Sequence, residues 1–197
     1  MHTLVIAANP DPESLTVATA KAFATGAEGQ GATARIINLG TDGFNPAYTL
    51  ADRDHYYNGG APMPEDVIPY QKAMEEADVI AFVTPIYWYT MTASMKGFFD
   101  RVLCRDFAYD RATGKPLALK GKTIRFIALA AGSEEWYETS GIGEALERQI
   151  LDNTFRKYCG VSDASIEYVD RTNGGDADHI AQRLKLVEEL GAAATHR

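Results

Sequence analysis

Five short apolar runs, each followed by a stretch that reads as helix, constrain this chain more than any other feature. They occupy residues 3–8, 34–39, 79–84, 123–130 and 164–169. Runs such as Val79-Ile80-Ala81-Phe82-Val83 are apolar on both faces, the pattern of strands covered on both sides in a parallel sheet. The segment 14–28 is rich in alanine and opens on Ser14, a good N-cap. The segment 64–76 opens on Pro-Glu-Asp, acids that suit a helix start. From 91 to 103, Met91, Met95, Phe98, Phe99 and Val102 recur at helical spacing. Helices over 143–158 and 176–190 complete the series. Parallel strands need long crossovers, so this alternation predicts a doubly wound α/β sheet with helices on both faces. Residues 41–63 stand apart: with Gly, Pro, Asn and several aromatics they read as a long loop, of the kind that is either functional or disordered.

The 197 residues suit a single domain over 1–197, and 46% hydrophobic content is enough for a packed core without disulfides. A net charge of −8 carries no basic footprint for nucleic acid. It also repels anionic cofactors at long range, so a phosphate site must be assembled locally from backbone donors and helix ends. Cys104 and Cys159 match no CxxC pattern and read as reduced, buried thiols. No signal peptide or membrane span is evident, so a cytoplasmic protein is expected. His2, His55, His179 and His196 lack metal-ligand spacing, and no metal site is expected.

Ligands of open α/β sheets sit beyond the carboxyl ends of the strands, where three loops here carry unusual chemistry. The first runs from Asn9 to Thr16. It has neither a dinucleotide fingerprint nor a P-loop, but sets the Ser14 and Thr16 hydroxyls beside Leu15 at a helix start, a combination that can hold phosphate or merely cap the helix. Asp11 and Glu13 should point away from any phosphate. The second is Pro85-Ile86-Tyr87-Trp88-Tyr89, which places three consecutive aromatics at the ligand edge, as a platform for a flat ring or as a core cluster. The third, residues 131–137, offers Ala131, Gly132, Trp136 and Tyr137, with Gly132 allowing close approach of backbone to a ring.

The second loop, together with Ala93-Ser94-Met95-Lys96-Gly97-Phe98-Phe99-Asp100-Arg101-Val102-Leu103 and Phe107-Ala108-Tyr109, resembles the signature of the flavodoxin-like NAD(P)H:quinone oxidoreductases. The relatives of that family include potassium-efflux ancillary flavoproteins, modulator-of-drug-activity proteins and azoreductases. The likeness covers nearly the whole chain and implies the strand order 2-1-3-4-5. It implies that Asn9, Ser14, Leu15 and Thr16 hold the phosphate of a flavin. Pro85, Ile86, Tyr87, Trp88 and Tyr89 would line the ring, and Ala131, Gly132 and Tyr137 would meet its pyrimidine end. Tyr137 and Tyr109 are the implied catalytic residues, with Tyr109, and Phe107 beside it, in an acceptor pocket at a homodimer interface. The likeness leans to FAD over FMN, with NAD(P)H as co-substrate and a quinone-like acceptor.

The implied activity is ping-pong hydride transfer through the flavin. A flavodoxin-type electron carrier and a regulatory flavoprotein of a transport system are the alternatives. Three departures from the family pattern bear on the site. Asn9 replaces a histidine, Leu129-Ala130-Ala131-Gly132 replaces a hydroxyl-rich run, and Gly143 removes the histidine of a Tyr–His relay. Elsewhere, Asp100 and Arg101 are expected to form a structural ion pair. Arg111 reads either as a contact for the anionic dinucleotide or as a solvated loop charge. His55-Tyr56-Tyr57-Asn58 reads as surface loop or as a cap over a neighbour's pocket.

Overall fold

The structure, a computed structural model, describes residues 1–58, 61–174 and 176–195; His196 lies outside the described residues. Strands β1 (His2–Ala7), β2 (Thr33–Asn38), β3 (Val79–Tyr87), β5 (Thr123–Leu129) and β6 (Asp163–Val169) form a parallel sheet in the order β2-β1-β3-β5-β6. This is the expected doubly wound order. The two-residue β4 (Thr90–Met91) is an addition that pairs antiparallel with the end of β3. The last β1–β3 pair is Ala7 with Val83, so Pro85, which has no N–H to give, sits past the end of that ladder.

Helices α1 (Leu15–Gly29) and α7 (Ala177–Ala194) cover one face, burying Phe23, Ala24 and Val187 against Val5, Val79 and Ile127. On the other face lie α3 (Ile68–Glu76), α4 (Ala93–Val102) and a π-helical segment (Glu147–Tyr158), burying Met74, Phe98 and Phe155 around Phe82. The Phe82 and Phe155 rings stack with centroids 5.4 Å apart. Helices α1 and α7 approach closely because both carry glycine at the crossing. A Cβ on Gly26 would lie 1.8 Å from the Glu188 carbonyl oxygen, and one on Gly191 would lie 2.1 Å from that of Phe23.

Several expected elements change form. Residues 41–63 are not a structureless loop, because α2 (Leu50–Tyr57) lies within them. A reciprocal cap starts it: Thr49 Oγ1 accepts the Asp52 N–H, and Asp52 accepts the Thr49 N–H at 2.7 Å. Helix α3 begins at Ile68 rather than near Pro64, and in the turn ahead of it Asp66 binds Arg101. The expected helix over 143–158 forms but changes width along its length. Left-handed Gly141 (φ 79°) separates α5 (Glu134–Thr139) from α6 (Ile142–Leu146), which runs on into the π-helical segment. There Asn153 Nδ2 and Thr154 Oγ1 donate to the carbonyls five residues back, at 2.8 and 2.9 Å, supporting the wider turn.

Nor do Asp100 and Arg101 pair with each other. Asp100 binds Lys96 on the helix surface, whereas Arg101, 2% exposed, binds Asp52 at 3.0 Å, Asp66 at 2.8 Å and the Asn45 carbonyl at 2.7 Å. Successive positions on a helix face different ways, and Arg101 is the one that points inward.

Candidate active site

The three loops leave β1, β3 and β5, which are neighbours in the sheet, so they share one rim. In the first, Asn38 Oδ1 accepts the N–H groups of Asn9 at 3.2 Å and Gly40 at 3.1 Å. Asn9 Oδ1 accepts the Asp11 N–H at 3.0 Å, and its Nδ2 donates to Thr16 Oγ1 at 3.1 Å. Gly40 is required by contact, for a Cβ there would sit 2.3 Å from the Asn9 carbonyl oxygen. Ser14 caps α1 by accepting the Val17 N–H at 3.4 Å. Thr16 is 1% exposed, its hydroxyl engaged by Asn9, while the Leu15 side chain packs on the α1-side core. The donors left at this helix start are the N–H groups of Leu15 and Thr16, which have no intrahelical partner. Asp11 and Glu13 are exposed.

In the second loop the chain reverses through Trp88 and Tyr89 between β3 and β4, with Ile86 opposite Met91 and Tyr87 opposite Thr90. Both turn residues have positive φ, 48° and 64°. A tight hairpin of this hand normally takes Asn-Gly, so two bulky aromatics here are held against their preference. They are not core: Trp88 is 94% exposed, and Tyr87 and Tyr89 are more than half exposed.

The third loop faces them. Ile86, Trp88, Tyr89, Ala131, Gly132, Ser133, Trp136 and Tyr137 line an open cleft of about 540 Å³, within the range of small-molecule sites. Tyr89 and Trp136 meet with ring centroids 5.9 Å apart, and Tyr137 packs between Trp136 and Tyr168. A Cβ on Gly132 would meet nothing closer than 3.7 Å, so the protein's own packing does not demand glycine there. Among the described residues the Ala131, Gly132 and Ser133 N–H groups find no protein acceptor. Tyr137 is buried and its hydroxyl meets no described partner; burial, then Tyr89, raises its pKa above 10.0, so it stays a donor.

The other expected site residues lie elsewhere. Tyr109 lines two further cavities rather than the cleft, one beside Met91 and Tyr158 and one beside His55 and Cys104. Phe107 is core. Arg111 is neither a free loop charge nor open to a dinucleotide, since it binds Asp106 at 2.9 Å and the carbonyls of Tyr56 at 3.0 Å and His55 at 2.6 Å. His55, Tyr56 and Tyr57 belong to α2, with Asn58 its C-cap. Both thiols are free, and burial pushes Cys104 to about 11 and Cys159 to about 12. His2 bonds Thr33 at 2.8 Å and His179 bonds Asp170 at 2.8 Å.

Residues 1–191 match the model of a family described by its flavodoxin-like fold. This chain belongs to that family. It is 29% identical to the mouse ribosyldihydronicotinamide dehydrogenase [quinone] over 160 residues, 71% of this chain and 67% of that one. An uncharacterized NAD(P)H oxidoreductase of Haemophilus influenzae is 27% identical over 198 residues, covering 99% of this chain and 94% of its own. Among solved structures, the NAD(P)H:quinone oxidoreductase from Methanothermobacter marburgensis superposes with a TM-score of 0.90 at 25% identity, covering 100% of this chain and 97% of its own. Within this flavodoxin-like chain, sequence reasoning missed Asn38 and Gly40, which brace the first loop, and Asp170, which braces the third. Buried side chains that act on another loop leave no local pattern; only the polar ends of β2 and β6 hint at them.

Proposed function

We propose that this chain is a flavin-dependent NAD(P)H oxidoreductase that reduces quinone-type acceptors. The observation that carries the reading is the third loop: three consecutive N–H groups without acceptors among the described residues, at an unfilled glycine, opposite an exposed aromatic turn. That donor set suits the polar edge of a flat heteroaromatic ring, and the Leu15 and Thr16 N–H groups at the start of α1 suit its phosphate tail. Of the flavins, the quinone-reductase resemblance favours FAD. Flavin, when bound, supplies the hydride acceptor and donor.

The chain's own residues position and polarise. Trp88 and Tyr89 form the platform, while Ala131, Gly132 and Ser133 donate where negative charge collects on reduction. Tyr137, kept neutral by burial, adds a hydroxyl donor at the same end. NAD(P)H and the acceptor would use this open cleft in turn, in ping-pong order. Tyr109 lines other cavities, and its proposed part in acceptor binding is at the pocket of a second copy of the chain, in a homodimer. No helix among the described residues is long and apolar enough to cross a membrane.

The test is the absorption spectrum and mass of the small molecule released on denaturing the purified protein, followed by NAD(P)H oxidation with a quinone and no partner reductase. A yellow FAD-containing protein that turns over alone is expected. A colourless protein that takes up neither flavin would overturn the reading, and a flavoprotein that needs a separate reductase would be an electron carrier instead.

A further inference from the structure

The third loop is held from behind by a carboxylate that belongs to another strand. Asp170, just past β6, is 2% exposed. Its Oδ2 accepts the Glu134 N–H at 3.0 Å, and its Oδ1 accepts from His179 Nε2 at 2.8 Å and Arg183 Nε at 2.7 Å. His179 and Arg183 lie four residues apart on one side of α7. Arg183 also donates to Glu134 Oε2 at 2.9 Å, so one guanidinium ties the carboxylate and the loop to the same helix.

The backbone repeats the connection. Arg171 is left-handed (φ 53°), and the reversed chain brings its N–H to the Gly132 carbonyl at 3.1 Å and the Thr172 N–H to the Ala130 carbonyl at 3.0 Å. With the Ala130 N–H donated to Val169 at 2.9 Å, the groups behind the loop are engaged, whereas the N–H groups of residues 131–133 have no acceptor among the described residues. Capping α5 does not require Asp170, because Ser133 Oγ already accepts the Trp136 N–H at 3.2 Å. What Asp170 sets is the position of the loop relative to β6 and α7. Burial alone would disfavour its charge, but the Glu134 N–H, His179 and Arg183 outweigh that and hold its carboxyl below the usual range.

We propose that Asp170 is a positioning residue for the cleft, holding the Ala131–Gly132–Ser133 donors and the Tyr137 ring in register with the polar edge of the bound flavin. The proposal rests on the flavin reading above. The experiment strips the purified protein of flavin and titrates the apo-protein with FAD and with FMN, following flavin fluorescence, for wild type, Asp170→Ala, Asp170→Asn and Arg183→Gln. Thermal melting is recorded for each. Asp170→Ala should weaken flavin binding roughly ten- to a hundredfold, as small displacements of binding groups do. Asp170→Asn keeps an acceptor for the Glu134 N–H but sets an NH2 donor against Arg183, so it should recover only part of the loss, with an affinity between those of the alanine variant and wild type.

If Asp170→Ala does not fold, Arg183→Gln decides, since it leaves Asp170 in place but removes its orienting partner; it should weaken binding by about threefold or more. A lowered melting temperature with unchanged flavin affinity would make Asp170 a stability residue and overturn the proposal, as would an Asp170→Asn protein that binds no better than the alanine variant. Wild-type apo-protein that binds neither flavin would instead sink the functional reading itself, so the two failures are distinguishable.

Discussion

Trp88 and Tyr89 occupy a backbone region that bulky side chains avoid, and they do so at the lip of the cleft. Each such residue costs about 1–3 kcal/mol, retained only where the site uses the strain. Replacing the pair with Asn and Gly should therefore raise the melting temperature of the flavin-free protein, by about 2–4 °C for each kcal/mol relieved. The same variant should bind flavin more weakly, because the ring platform is gone; higher stability with undiminished affinity would remove both residues from the site. Tyr137 is a different case, a buried neutral donor beside three backbone donors. Tyr137→Phe should slow reduction by NAD(P)H about two- to tenfold, the worth of one neutral hydrogen bond, measured by stopped-flow bleaching of the bound flavin. Identical traces would exclude the hydroxyl. At this scale the sequence singles out adjacent aromatics at a strand end, and their exposure follows only from the structure, as does the absence of any packing contact that would demand glycine at position 132. At Thr16 the side chain is buried and its hydroxyl bonds Asn9, which leaves the backbone N–H as the group it can offer a phosphate, a distinction that depends on burial and that residue type does not carry.

Among the elements, the boundaries of the sheet followed from hydropathy, whereas α2 depended on a partner far along the chain. Asp52 closes the cap of α2 and also receives Arg101 from α4. Arg101→Met should destabilise the protein by about 3–5 kcal/mol, because it strands Asp52 as an unpaired buried carboxylate; chemical denaturation measures this. The pH dependence carries a sign. The Arg101 hydrogen bond holds Asp66 below its ordinary 3.8 despite some desolvation. A carboxylate with a lowered folded pKa adds stability that is present above the unfolded value and lost as pH falls through the folded one. Wild type should therefore lose stability on acidification below about pH 4, and Arg101→Met should lose less over the same interval. Equal acid slopes would rule out the pair as the cause. The apolar spacing over 143–158 predicts a helix but does not distinguish turns of different width, and the Asn153 and Thr154 side chains make that choice, while α5 lies in the stretch read as the third loop.

For the molecule as a whole, a charge of −8 sets the terms on which an anionic dinucleotide approaches. Raising ionic strength from about 0.01 to 0.15 M shortens the screening length from about 30 to 8 Å, so kcat/KM for NAD(P)H should rise over that range. A fall would reveal a cationic approach path that the net charge hides. The alternation of apolar runs and helical stretches, by itself, determined the class of fold and the rim of the sheet at which the three loops emerge. Both are consequences of local periodicity, since each strand must be buried and each parallel pair needs a crossover. Only the tertiary structure decided which side chains face the cleft, which carboxylate receives Arg101, how Asn38 and Asp170 brace loops on other strands, and why α1 and α7 need glycine where they cross. Those choices depend on burial and on contacts between residues remote in the chain, whose partners are defined only once the sheet has brought its loops to one rim.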